Sequence, residues 1–152
     1  MLRPGSKAPD FSLPDQHGNT VTLTELLAEG PLLLYFYPAD FTPGCTKEAC
    51  TLRDMQDDLV ASGLRVVGIS PQDSDSHQRF ADKHNLNFTL LADTDKQAVR
   101  AYDVDGPLGF GVRRASFLID RDGSIADALL ADFRIERHDE FFRSAAGRAA
   151  SG

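Results

Sequence analysis

Cys45 and Cys50 are the only thiols in the chain, and both lie in one segment, Pro38-Ala39-Asp40-Phe41-Thr42-Pro43-Gly44-Cys45-Thr46-Lys47-Glu48-Ala49-Cys50. A thiol pair can be inert core, part of a metal site, or a redox couple, so its surroundings must decide. A structural zinc site asks for four ligands at short spacings. His17, His77, His84 and His138 are scattered singly and form no His-x-x-x-His pair, so no metal and no cofactor is expected. The same scatter offers no Cys-His-Asn arrangement, and the histidines read as solvated or turn residues. Asp120-Arg121-Asp122-Gly123 reads as a hairpin turn, because the later ligands of a calcium loop are missing.

The elements that must position these thiols follow from apolar periodicity. Leu32 to Tyr37 is apolar without alternation, as a central strand covered on both faces would be. The loop Pro38 to Gly44 follows, then a helical stretch to about Ser62 closed by Gly63, and a second buried strand, Leu64 to Ser70. Cys45 thus falls in the first turn of a helix that starts where a buried strand ends. Ligands collect at such strand ends. Free backbone N–H groups and the positive end of the helix dipole favour thiolate over thiol there. Full ionisation raises the reactive fraction only about 30-fold at neutral pH. Fast chemistry therefore needs donors near the sulfur to position a substrate and take up developing charge, and Thr42 and an arginine are suited to that. Thr42 also stands where a helix cap would.

The remaining elements complete an α/β pattern. Phe11 to Leu13 and Thr20 to Leu23 flank a turn-rich stretch and read as an N-terminal hairpin, and Thr22 with Glu25 forms a capping-box pattern before a short helix. Asp73 and Ser74 begin a helix through His84, residues 88–91 form a strand, and 94–102 another short helix. Residues 116–119 and 124–129 make a hairpin before a final helix around His138 to Ala146. Alternating strands and helices ending in a hairpin imply one α/β domain over residues 1–152 with a mixed central sheet. Residues from about 147 to 152 read as a disordered tail.

The 152 residues carry a formal charge of −7, a pI near 4.9 and 41% hydrophobic residues. That suits one globular core, and it argues against nucleic acid or an anionic membrane as partner, since both would repel this surface. Met1 to Lys7 lacks an apolar leader segment, and the longest apolar run is far short of the roughly 18 to 20 residues that span a bilayer. A cytoplasmic protein is expected.

Pro38, Thr42 and Cys45 satisfy Pro-x-x-x-Thr-x-x-Cys, and the segment resembles the peroxiredoxin active-site signature. Phe-Thr-Pro-Gly-Cys-Thr-Lys-Glu-Ala-Cys is similar to the peroxiredoxin Q branch, also called bacterioferritin comigratory protein. Similarity continues through Val67 to Ser70, Asn87 to Asp93 and Ser116 to Asp120, covering nearly the whole chain. The resemblance implies a thioredoxin-like fold and a thiol peroxidase acting on hydrogen peroxide or organic hydroperoxides. It implies that Cys45 attacks the peroxide and Cys50 closes a disulfide with it, that Thr42 hydrogen-bonds the peroxide, and that Pro38 shields the pocket. It also implies an arginine before the strand at 116–119, which is Arg114 with Arg113 as the adjacent alternative, oriented by Glu48. Gly44 and Cys45 would offer backbone N–H groups. Thioredoxin as reductant and a monomeric state are further implications.

Helical geometry adds a condition to that disulfide. Positions five apart in an ideal helix have Cα atoms about 8.6 Å apart, beyond the roughly 7 Å that a disulfide tolerates. Ala49, Leu52, Met55 and Leu59 fall within about 80° of Cys45, and Cys50 about 140° away. Cys45 faces the core and Cys50 faces away, so closing the bond requires this helix to unwind. Two rivals share parts of this pattern. A thiol-disulfide exchange protein would carry Cys-x-x-Cys, whereas four residues separate these cysteines. A peroxide sensor or holdase would pass oxidation on through the same disulfide. One stretch departs from the resemblance: residues 103–113 are shorter than in many relatives and lack their Trp-Gly pair, and their glycines suggest mobility.

Overall fold

The computed structural model describes residues 1–132 and 134–151. Strand β3 (Leu32–Phe36) is buried along its whole length, as its unbroken apolar run requires. It pairs in parallel with β4 (Arg65–Ser70), which pairs in parallel with β5 (Thr89–Ala92). On its other side β3 runs antiparallel to β6 (Ala115–Ile119), and β6 antiparallel to β7 (Ile125–Leu130). The five-stranded order is β5-β4-β3-β6-β7. An N-terminal hairpin, β1 (Ser12–Pro14) and β2 (Thr20–Thr22), docks on the edge strand through Gln16, which donates to Phe88 O at 3.1 Å and accepts from Leu90 N at 3.0 Å. This is the expected thioredoxin-like architecture with a hairpin extension.

Alternation along β3 divides the interior into two cores. Leu32, Leu34 and Phe36 join α1 (Leu23–Ala28) and α5 (Gln97–Ala101) through Leu23, Leu26, Ala98 and Val99. Leu33, Tyr35 and Tyr37 face the opposite side, where four helices pack. These are α2 (Pro43–Asp54), α3 (Gln56–Ala61), α4 (Ser74–His84) and α6 (Ile135–Ser151). Where the sequence suggested one helix to about Ser62, Met55 at φ −87° and ψ −3° separates α2 from α3. The bonds Met55 N–H to Thr51 O and Leu59 N–H to Met55 O carry the chain across, and Leu59 still packs with Leu52.

The Thr22/Glu25 box forms with one change: Glu25 N–H donates to Thr22 Oγ1, and that hydroxyl donates to the Glu25 carboxylate. Asp73 caps α4 by accepting from Ser76 N–H. The tail expectation needs correcting, since α6 continues through Ser151. Alanine has the highest helix propensity, and the alanines at 145, 146, 149 and 150 outweigh the single Gly147. Gly152 lies outside the described residues. Among the described residues no helix is long and apolar enough to cross a membrane.

Candidate active site

Helix α2 starts where the 38–42 loop leaves the C-terminal end of β3. Pro43 is its first residue and lacks an N–H. The first intrahelical bond runs from Thr46 N–H to Thr42 O at 2.8 Å, so the N–H groups of Gly44 and Cys45 precede the ladder. Cys45, Glu48, Ala49 and Leu52 form the buried stripe of α2, spaced i, i+3, i+4 and i+7. Cys45 is 1% exposed, Cys50 is half-buried, and both are free thiols. The outward phase expected for Cys50 is thus present, but partial.

Arg114, directly before β6, reaches into this stripe. Its Nη2 donates to Cys45 Sγ at 3.2 Å and its Nη1 to Glu48 Oε1 at 2.7 Å. The backbone around it is clamped, with Arg114 N–H donating to Asp132 Oδ1 at 3.1 Å and Ala131 N–H to Arg114 O at 3.1 Å. Arg113 turns outward to Asp132 Oδ2, and of the two adjacent arginines Arg114 is the one that faces Cys45. Gly44 fits beneath the guanidinium; a Cβ there would lie 3.2 Å from both Arg114 Nη2 and Ile135 Cδ1.

The charges are tightly coupled. Burial raises the Glu48 carboxyl to about 7 even though the Arg114 guanidinium beside it pulls the other way. Burial opposes the charge of Arg114, but Glu48 and Cys45 outweigh it and hold the guanidinium above its ordinary range.

The other expected residues stand nearby with narrower contacts. Thr42 occupies the cap position of α2 without capping it; its hydroxyl donates to Ala39 O at 2.9 Å, which leaves the oxygen lone pairs free to accept. Pro38 O accepts from Gln72 Nε2 at 3.3 Å. Phe41, between them, holds a left-handed φ of 66° and is 45% exposed, a backbone cost concentrated at this loop. The 103–113 loop is tied down by Arg113 N–H to Val104 O, Gly106 N–H to Gly111 O and Lys96 Nζ to Gly109 O. Its glycines serve geometry, since a side chain at Gly106 would collide with the Phe110 carbonyl. Phe110 is 78% exposed and points to solvent.

Two buried histidines overturn the solvated reading. His138 of α6 and His77 of α4 are fully buried. His138 Nε2 faces Ala131 O at 2.9 Å and must donate to it. Its Nδ1 then accepts from the Ser116 hydroxyl at 2.8 Å and lies 3.7 Å from Glu48 Oε2. Burial lowers its pKa to about 4, keeping the ring neutral. His77 stands behind the active-site loop. Its Nδ1 is 2.7 Å from Asp40 Oδ2 and its Nε2 3.0 Å from Leu91 O, while Tyr37 and Ser76 hydroxyls also donate to Asp40. Burial pushes the Asp40 carboxyl up, but the bonds from His77, Tyr37 and Ser76 hold it below its ordinary value. A signal for both histidines exists in the sequence: His77, Phe80 and Ala81 share one helical stripe, and His138, Phe142 and Ala145 another. Among the described residues no group of three or more His, Cys, Asp or Glu is placed to hold a metal ion.

A model of the AhpC/TSA family matches residues 4–128. Peroxiredoxin Bcp of Escherichia coli (strain K12) is 45% identical over 145 residues, covering 91% of this chain and 92% of that protein. The chain belongs to the AhpC/TSA family of peroxiredoxins. Its solved relatives agree in fold. Peroxidoxin BcpB from Mycobacterium tuberculosis superposes with a TM-score of 0.90 at 34% identity, covering 97% of this chain and 98% of that one. A Xanthomonas campestris bacterioferritin comigratory protein, described by its alkyl peroxide reduction activity, gives a TM-score of 0.84 at 26% identity over 98% of each chain. This peroxiredoxin is therefore a thiol-dependent peroxidase of the Bcp/peroxiredoxin Q branch.

Proposed function

We propose that Cys45 is the residue that attacks peroxide and Cys50 the residue that resolves it, with Arg114, Thr42 and the N–H groups of Gly44 and Cys45 holding the peroxide oxygens, Pro38 shielding the pocket and Glu48 orienting Arg114. The observation that carries this reading is the guanidinium set between Cys45 Sγ and Glu48 at the start of α2, with all three residues buried. The Cys45 thiolate attacks the terminal peroxide oxygen, the O–O bond breaks, and the departing oxygen leaves as an alcohol or water after taking up a proton. The resulting sulfenic acid loses water to the Cys50 thiol and a disulfide forms. A dithiol reductant then restores both thiols by exchange, its own sulfurs becoming the disulfide.

The substrates are hydrogen peroxide and organic hydroperoxides, the latter in line with the alkyl peroxide reduction attributed to the Xanthomonas campestris relative. Thioredoxin is the reductant, and half-buried Cys50 is the thiol better placed to meet it. Cytoplasmic placement suits a pair that must return to thiols in every cycle. All the named groups come from one chain, which suits a monomer. Peroxide consumption coupled to thioredoxin, thioredoxin reductase and NADPH tests the assignment. Cys45→Ser should abolish turnover, and Cys50→Ser should leave one stoichiometric oxidation without thioredoxin-supported turnover. Turnover surviving in Cys45→Ser overturns it.

A further inference from the structure

One cation serves two potential anions in this site. Arg114 is the positive group within hydrogen-bond reach of both Cys45 Sγ and Glu48 Oε1, and all three residues are at most 5% exposed. Two full negative charges against a single guanidinium would leave one of them uncompensated and desolvated. Glu48 is also only half satisfied. Its Oε1 accepts from Arg114, but its Oε2 is buried without a hydrogen-bond partner. The polar atom facing Oε2 is His138 Nδ1 at 3.7 Å, and that nitrogen is an acceptor, because Nε2 carries the proton donated to Ala131 O. A carboxylate oxygen finds no donor there. The lone pair of that nitrogen is already taken by the Ser116 hydroxyl at 2.8 Å, so a hydrogen on Oε2 gains no new bond there but removes the desolvated charge that no donor compensates.

We propose that Glu48 holds a proton while Cys45 is a thiolate and releases it when Cys45 becomes a sulfenic acid, so that Arg114 faces one anion both before and after peroxide cleavage. The inference rests on Cys45 being the residue that attacks peroxide. The step balances as follows. The Cys45 thiolate takes the terminal oxygen with its hydrogen and becomes the neutral sulfenic acid, the O–O bond breaks, and the departing alkoxide or hydroxide gains one proton. Glu48 loses one proton and becomes the carboxylate that Arg114 then pairs. Net charge is −1 for the two groups on both sides, and no proton is drawn from bulk water. The transfer is counted over the whole site and requires no contact between Glu48 and the departing oxygen.

The surroundings favour this exchange from every packed element. Cys45 on α2 supplies the alternating charge and Arg114 the fixed one. His138 on α6 is neutral, its pKa lowered to about 4 by burial, so it adds no second cation. Asp139, also on α6, is itself raised by burial and contributes a negative neighbour. From β3, the buried Tyr35 phenol stays protonated, held up by its own burial with Glu48 and Cys45 adding to the effect. Glu48 at about 7 is poised to change state near neutrality.

Proton counting tests this directly. In Cys50→Ser protein, which stops at the sulfenic acid, pH-indicator stopped flow in weak buffer at pH 6 reads protons exchanged per hydrogen peroxide consumed. Adding Glu48→Gln should increase uptake by about one proton per peroxide once the Cys45 thiolate fraction of each protein at pH 6, read from its ultraviolet thiolate absorbance, is subtracted from its count. Equal counts in the two proteins overturn the proposal. Infrared difference spectra of Cys50→Ser, reduced minus oxidised, provide the check without altering Glu48. The carbonyl band of a protonated carboxylic acid should vanish on oxidation, and should do so equally in Cys50→Ser carrying Asp139→Asn. A band that persists through oxidation, or that vanishes only when Asp139 is intact, overturns it. If Cys50→Ser consumes no peroxide, the assignment of Cys45 fails as well, so the two failures are distinct.

Discussion

Arg114 does two jobs through two nitrogens, one on sulfur at 3.2 Å and one on carboxylate at 2.7 Å. A lysine offers a single point charge and cannot hold both in fixed geometry. Arg114→Lys should therefore lower kcat/KM for hydrogen peroxide by about 10²–10³-fold, the usual loss when one preorganised donor is removed. Stopped-flow reduction kinetics would show it, and a loss under threefold would deny Arg114 a role at the reacting atoms. His77 acts at one remove. His77→Ala leaves the buried Asp40 carboxylate without the imidazole that stands 2.7 Å from it, which should cost about 3–5 kcal/mol in urea unfolding. An unchanged urea midpoint would contradict that. At this scale the sequence revealed spacing but not depth. Pro38, Thr42 and Cys45 are linked by local chain geometry, and Arg114 by its place before a strand. The choice between Arg113 and Arg114 depended on Asp132, far along the chain, taking one guanidinium and leaving the other to the pocket. The stripes that carry His77 and His138 point to burial, but their partners were not legible, because Leu91 O and Ala131 O are brought to the rings only by the fold.

Helix α2 carries both thiols in unbroken helical register, so a Cys45–Cys50 bond requires it to unwind. The cost of unwinding includes lifting Ala49 and Leu52 from a core in which both are fully buried. Weakening the helix at an exposed position should then speed closure. Lys47→Gly costs an α-helix about 1 kcal/mol, which corresponds to roughly fivefold faster decay of the sulfenic acid to disulfide if unwinding precedes bond formation. Time-resolved thiol trapping measures the decay, and hydrogen exchange across 44–54 should be faster in oxidised protein. Equal exchange in the two redox states would rule out unwinding. Elements with strong local signals were legible in advance: β3 from its apolar run, α4 from its capping residues Asp73 and Ser74. The interruption at Met55 was not, since no glycine or proline marks it. Nor was the end of α6, where alanine propensity outran a composition that suggested a tail.

Across the whole molecule, two buried groups in contact distance push acid stability in opposite directions. His138 is lowered from 6.5 to about 4, so between these values the unfolded chain binds a proton that the folded one refuses, and stability rises with pH. Glu48 is raised from 4.5 to about 7, so between those values the folded chain holds the extra proton, and stability falls as pH rises. Each slope approaches 1.4 kcal/mol per pH unit, and over roughly pH 4.5 to 6.5 they oppose each other. Asp139, also raised, tilts the balance slightly toward the Glu48 direction. Asp40 and Asp132, both lowered, add stability that is present above about 3.8 and is lost only below this window. Reduced wild-type protein should thus show nearly pH-independent urea stability from 4.5 to 6.5. Glu48→Gln should expose the histidine slope, with stability climbing by up to about 3 kcal/mol from pH 4 to 6.5. His138→Gln should expose the carboxyl slope, falling by up to about 3 kcal/mol from pH 4.5 to 7. Parallel profiles in the three proteins would mean that neither group titrates differently on folding. Opposed slopes would show that the pairing of α6 with α2, which brings His138 beside Glu48, evens out the acid response of the fold that holds Cys45.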